Sequence, residues 1–286
     1  MAGKNDFYVG NRDPLLPSPL IKLPCGQIKP AGWLHRQLEL EADGFTGRLT
    51  ELSKFCQFDT NAWTNPNGKG ENGWEEVPYW LKGFISLGHI LKNERIIKEA
   101  QRWVEAVLSN QWDNGYFGWD QNYKNHDYWP NMIMLYVLRT HYEATGDERI
   151  IPFMTKYFRY QSKLPLDKLF PRDAKGRTWW QGIRAADNLD SIYWLYNRSG
   201  EKWLLDLARV NHERTQDWTR GFPSWHGVNI TECFRGPAQY YQQTHDIRYL
   251  DATKLRYDTV MGIYGQVPGG MFGADENSRE GYTGPR

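Results

Sequence analysis

Apolar residues recur along this chain with the spacing of helices that bury one face. Ile96, Ile97, Ala100, Trp103, Val104, Val107 and Leu108 form an i, i+1, i+4, i+7, i+8 stripe. The same register returns 54 residues later at Ile150, Ile151, Met154, Tyr157 and Phe158. It returns again at Leu204, Leu205 and Ala208, then in a fourth copy at Tyr249, Leu250, Tyr257, Val260 and Met261. Each copy opens on a related turn: NERII at 93–97, DERII at 147–151, EKWLL at 201–205 and DIRYL at 246–250. Asn93, Asp147 and Asp246 are suited to cap the helix that follows, because their side chains can accept from free first-turn amides. Gly146 and Gly200 stand where the preceding helix must end.

A second helix precedes each turn, over 77–91, 130–145, 187–199 and 237–244, with Pro130 and Pro237 at helix-opening positions. A further helix is predicted over 30–43, with Trp33, Leu34, Leu38 and Ala42 on one face. No run alternates as a strand does. The repeating unit is helix, tight turn, helix, long connection. The fold class that follows is all-α: stacked helical hairpins that form an open solenoid or, the favoured arrangement, close into an (α/α) toroid. Residues 1–29 read as an extended N-terminal segment and 30–286 as a partial (α/α) barrel.

The connections at 109–129, 162–186, 216–236 and 262–286 are rich in Gly and aromatics. Of the 14 Trp, nine fall outside the periodic helices: Trp63, Trp74, Trp112, Trp119, Trp129, Trp179, Trp180, Trp218 and Trp225. Rings beside Asp, Asn, Gln and His match what a sugar presents, apolar C–H patches between hydroxyls. Rings that merely close loops over helix ends are the competing account. The formal net charge of +1, from 35 basic and 34 acidic side chains, argues against a nucleic-acid face. No apolar stretch approaches the roughly 20 residues that span a bilayer. No export signal follows Met1, so compartment stays open. An oligosaccharide or polysaccharide is the expected partner; the oligomeric state is not legible.

Glycoside cleavage needs a proton donor at the leaving oxygen and a second group opposite it. The acids in connecting segments are Glu75, Glu76, Asp187, Glu232, Asp275, Glu276 and Glu280. Glu276 stands out: Gly269, Gly270 and Gly273 let backbone approach a ligand, and Met271 and Phe272 can partly desolvate its carboxyl. His226, between Trp225 and Gly227, is a candidate for a sugar hydroxyl. The rings and acid of the connections add Trp225, Trp74 and Glu75 to the substrate-binding set. Cys25, Cys56 and Cys233 have no Cys-x-x-Cys spacing, so neither a disulfide framework nor a structural zinc site is expected of them.

Several long stretches, GWEEVPYWLKGFISLGHILKNERIIKEAQRWVEAVL, ADNLDSIYWLYNRSGEKWLLDLA, WHGVNI and VPGGMFGADENSREGYTGPR among them, resemble glycoside hydrolase family 127, the β-L-arabinofuranosidases. The resemblance implies an (α/α)6 barrel and retaining hydrolysis of terminal β-L-arabinofuranosides. By resemblance, Glu276 in GADEN matches the family general acid/base, with Glu280 as the fallback. His226 in HGV matches the family's His-x-Val histidine, which contacts the sugar. Asn131 in WPNM and Asn188 in ADNLD resemble further sugar-contacting positions, where founding members carry histidine. The family nucleophile is a cysteine thiolate held on zinc, with the Glu and Cys of a Glu-Thr-Cys motif and a later cysteine. None of these matches a residue of this chain, so no metal residue is assigned and the sequence reads as the acid/base side of such a site. It reads as stopping inside the catalytic domain. Two other readings are a non-catalytic sugar-binding toroid and a different (α/α) barrel enzyme such as a uronyl hydrolase or a lyase.

Overall fold

The computed structural model describes residues 9–23, 25–176, 178, 180–265 and 272. Helices dominate, and among the described residues β pairing is limited to two isolated bridges, Asn61 with Glu71 and Arg172 with Thr178. The chain divides into two compact units. The first is built from Ser18–Lys163 with Asn197–Ser199, and the second from Asn11–Pro17, Leu164–Tyr196 and the residues from Gly200 onward.

In the first unit α1 spans Gly32–Asp43, α2 Glu76–Leu91, α3 Glu94–Ser109, α4 Asp120–Asn125, α5 Trp129–Thr145 and α6 Ile150–Ser162. α2 and α3 form a hairpin because Lys92 turns left-handed (φ 54°) and the Asn93 side chain then accepts from Ile96 N at 3.2 Å. α5 stops where Gly146 adopts φ 72° and donates to Tyr142 O at 2.7 Å. Asp147 accepts from Arg149 N, yet α6 begins only at Ile150, so the predicted cap sits in the turn rather than at the helix end. α3 buries Ile96, Ala100, Trp103, Val104 and Val107, the face its periodicity predicts. Each such side chain stabilises by roughly 1.5–3 kcal/mol when fully removed from water. Trp103 meets Trp80 of α2 edge-on at 5.6 Å.

α1 departs from its reading. Ala42 is buried, but Trp33 is 81% exposed and Leu34 44% exposed. The N-terminal segment is held by polar contacts: Lys22 Nζ reaches the buried Glu143 carboxylate at 2.5 Å, and Cys25 Sγ donates to Ser86 O at 3.7 Å.

In the second unit α7 spans Ala186–Ser199, its last turn grouping with the first unit, followed by α8 at Trp203–Arg214, α9 at Gly227–Cys233, α10 at Gly236–Thr244 and α11 at Ile247–Tyr264. Gly200 (φ 73°) ends α7, and any Cβ there would come within 2.5 Å of Arg12 Nη1. His245 turns left-handed to end α10, and Asp246 caps α11 by accepting from Arg248 N at 3.1 Å. The segment Asn11–Pro17 clasps this unit. Leu16 N donates to Gln242 O, Asn11 Nδ2 to Gln242 Oε1, and the Tyr196 hydroxyl to Asp13 O.

His212 stacks on Tyr240 at 3.9 Å and 15°, a packing role. Ala186, Trp218, Ile230, Cys233, Val260 and Tyr264 form a core, with Trp225, Phe222 and Phe272 packed against it. The fourth copy of the repeat keeps only part of its predicted face: Val260 is buried and Tyr249 meets Tyr240 edge-on at 5.3 Å, but Leu250 and Tyr257 are exposed, and Ala252, Arg256 and Tyr264 are buried beside Val260. The helix carries apolar residues on two sides, and contact with α10 selects one of them. Repeated helix–helix hairpins of this kind are the unit from which an (α/α) toroid is assembled.

Candidate functional site

The sequence-derived site residues fall into both units, and each group has its own local logic. In the first, the Gly- and Trp-rich segments before α2 and before α5 are knitted by indole donors. Trp63 Nε1 donates to Trp74 O at 3.2 Å, and Trp74 Nε1 to Asp127 Oδ2 at 3.0 Å. Trp129 Nε1 donates to Glu75 Oε2 at 2.5 Å, while its backbone N–H is taken by Asp127 Oδ1 at 3.1 Å. Close packing demands glycine here. A Cβ on Gly73 would lie 2.4 Å from the Trp119 ring, and one on Gly118 (φ 98°) 2.8 Å from the Trp63 ring.

Trp74 and Glu75 are half-buried, immediately ahead of α2, so a carboxylate and a ring edge are fixed at a helix N-terminus. Asn131 lies in the first turn of α5 and is fully buried. Its Nδ2 donates to Phe117 O at 2.6 Å, and its Oδ1 has no partner among the described residues. Trp129, which the sequence pattern puts in a connection, is the first residue of α5, with 0% exposure, and donates to Glu75. Trp63 and Trp218 are likewise core residues rather than sugar-facing rings. Their indole nitrogens find backbone carbonyls, which is what lets such large rings be buried. Trp74, Trp112, Trp119 and Trp225 are only partly buried, Trp180 is 40% exposed, and Trp179 lies outside the described residues.

In the second unit His226 stands at the N-cap of α9. Its Nδ1 accepts from Val228 N at 3.2 Å, which puts the proton of a neutral ring on Nε2 and makes that nitrogen a donor. Trp225 beside it stacks on Phe222 at 4.3 Å and 23° and meets Tyr264 edge-on at 6.3 Å. The turn leading to His226 is anchored from below: Arg184 Nε donates to Asn229 Oδ1 at 2.6 Å, and Asn229 Nδ2 to Ser224 Oγ at 2.9 Å. Neither Arg184 nor Asn229 carries a local sequence signal for this role.

Asn188 is fully buried at the start of α7, donating to Asn211 Oδ1 at 2.6 Å. Its neighbour Asp187 forms a triad with Arg235 and Glu232. Arg235 Nη2 donates to Asp187 Oδ1, and the Asp187 and Glu232 carboxyls share a hydrogen bond. Burial pushes the Asp187 carboxyl well above the usual carboxylate range; Arg235 opposes this and Glu232 adds to it. Two acids that sequence reading could only place in separate connections are therefore one coupled pair. Glu276 and Glu280 lie outside the described residues. Phe272, four residues before Glu276, packs on the core that carries Trp225.

The described residues do not fit the family's zinc centre. No group of three or more His, Cys, Asp or Glu among them could hold a metal ion. The thiols are separate and free: burial pushes Cys56 up to about 11 and Cys233 well above the ordinary thiol value, the opposite of what a ligating thiolate needs.

Comparison with known families finds a match over residues 50–286 to the family described as beta-L-arabinofuranosidase, GH127 catalytic domain. No curated protein matches the chain.

Proposed function

The chain belongs to the GH127 β-L-arabinofuranosidase family, and from that premise we propose that it supplies the acid/base side of a retaining glycoside hydrolase that releases terminal β-L-arabinofuranose from plant-type glycans. Glu276 is the general acid. It protonates the departing glycosidic oxygen as the C–O bond breaks, and the same carboxylate then takes a proton from the water that releases the sugar. Glu280 is the alternative donor. His226, through Nε2–H, and the Trp225 ring contact the arabinose, and Asn188 is a further sugar contact in this unit. Trp74, Glu75 and Asn131 serve as sugar contacts in the first unit. No residue of this chain is assigned as nucleophile.

The observation that carries this reading is the position of Phe272 against the core that carries Trp225, next in sequence to His226. Glu276 follows Phe272 by four residues in sequence and itself lies outside the described residues. In sequence it follows the apolar pair Met271-Phe272, the residue types that could desolvate a carboxyl.

Saturation-transfer NMR on the 286-residue chain with methyl β-L-arabinofuranoside tests the reading. Signal transfer to the arabinoside, lost in His226→Ala and absent with methyl α-D-glucopyranoside, is expected. Equal transfer to both glycosides, or a His226→Ala chain that responds like the parent, would sink it.

A further inference from the structure

Several charged groups buried among the described residues are answered by partners. Glu143 holds Lys22, Asp120 accepts from Lys69 and Lys124, Asp187 accepts from Arg235, and Arg184 donates to Asn229. Arg256, in the middle of α11, is different. It is only 9% exposed, and among the described residues it has no ion pair or hydrogen bond; its Nε is enclosed without an acceptor. The guanidinium lies over the Phe222 ring, Cζ 5.3 Å from the centroid. Phe222 in turn stacks on Trp225.

A cation taken out of water without a counter-charge is costly, and an aromatic face returns only part of that cost. Gly221 presents no side chain to the guanidinium, and a Cβ there would lie 3.8 Å from Nη1. A groove of about 450 Å³, lined by Thr219, Arg248, Tyr249, Asp251, Ala252 and Leu255, lies along α11 one turn before Arg256. A guanidinium fork matches a carboxylate in plane and spacing.

We propose that Arg256, with Phe222 beneath it, forms a subsite for a carboxylate-bearing sugar, a uronate, whose acid group pairs with the guanidinium while its C–H face covers the aromatic pair. The subsite rests on the reading of this chain as a carbohydrate-active protein. It adds that the glycan it meets carries acidic residues beside neutral arabinose. Trp225 would then serve two sugars, one on the His226 side and one on the Phe222 side.

The test is a titration of the 286-residue chain with D-galacturonate at fixed ionic strength, with D-galactose, acetate and inorganic sulfate as controls. Galacturonate should bind about tenfold more tightly than galactose, the scale of one charge-assisted contact, and also more tightly than acetate. Arg256→Met should abolish the difference between galacturonate and galactose, and Arg256→Lys should keep part of it. Phe222→Leu, which spares the charge, should weaken galacturonate and leave acetate unchanged; it also keeps the proposal testable should Arg256→Met fail to fold. Galacturonate no better than galactose, or no better than acetate and sulfate, overturns the subsite, as does an Arg256→Met chain that binds galacturonate like the parent. The arabinoside measurement on the same samples separates the two claims. Loss of galacturonate binding with arabinoside response intact refutes the subsite alone, and the reverse refutes the arabinofuranosidase reading alone.

Discussion

Arg235 donates through Nη2 to Oδ1 of Asp187, a side chain only 3% exposed at the start of α7. Burial favours the protonated form of this carboxyl, with Arg235 opposing the shift and Glu232 adding to it. Because the folded-state pKa of Asp187 is raised, its contribution to stability is complete below the unfolded value of about 3.9 and declines as pH rises through the folded value. Asp187→Asn keeps a donor for Glu232 and an acceptor for Arg235. It should sit within about 1 kcal/mol of the parent at pH 5 and lose less stability than the parent toward pH 9. Asp187→Ala, which leaves Arg235 without that acceptor, should cost about 2–3 kcal/mol. Urea denaturation across this range measures both. An Asn variant several kcal/mol weaker at every pH would mean the carboxyl is ionised and a plain salt bridge.

His212 should make the protein acid-labile. Burial lowers its pKa to about 4, against an unfolded value near 6.5. The unfolded chain therefore binds the proton first, and stability is lost as pH falls through that window. The full loss approaches about 3 kcal/mol by pH 4. His212→Phe keeps a ring on Tyr240 and removes the titration, so its denaturation midpoint should fall less between pH 7 and pH 4.5. Parallel curves for parent and variant would refute the assignment.

Two glycines of the first unit should respond in opposite directions to alanine. Gly118 has φ 98°, and a Cβ would strike the Trp63 ring at 2.8 Å, so Gly118→Ala should destabilise by about 2–4 kcal/mol. Gly83 lies exposed inside α2 with nothing within 4 Å, so Gly83→Ala should stabilise by about 0.5–1 kcal/mol. Thermal melts of the two variants decide this, and a neutral Gly118→Ala would contradict the packing of Trp63.

Binding and turnover should dissociate. On the proposed reading, which assigns no nucleophile to this chain, the 286-residue chain should bind methyl β-L-arabinofuranoside without hydrolysing the p-nitrophenyl β-L-arabinofuranoside. Added zinc should change neither result. Measured release of p-nitrophenol, lost in Glu276→Gln, would show that a nucleophile exists within these residues.

The local sequence determined where helices begin and end. The boundaries at Asn93, Gly146, Gly200 and Asp246 follow from caps and left-handed turns, which depend on a few neighbouring atoms and can be read without knowing the rest of the fold. The hairpin repeat, the buried stripe of α3 and the family were legible for the same reason: periodicity and motif are properties of the chain itself. Tertiary packing alone decided which apolar surface is covered. Trp33, Leu250 and Tyr257 carry the same hydrophobic signal as Trp103, yet 39–81% of their surface stays exposed, although Tyr257 meets the Phe234 ring. Packing also decided what the loop tryptophans do, turning Trp63, Trp129 and Trp218 into core residues. It joined Asp187 to Glu232 and left Arg256 without a counter-charge among the described residues. Those relationships depend on which distant groups share a low-dielectric space, and no local pattern of residues encodes that.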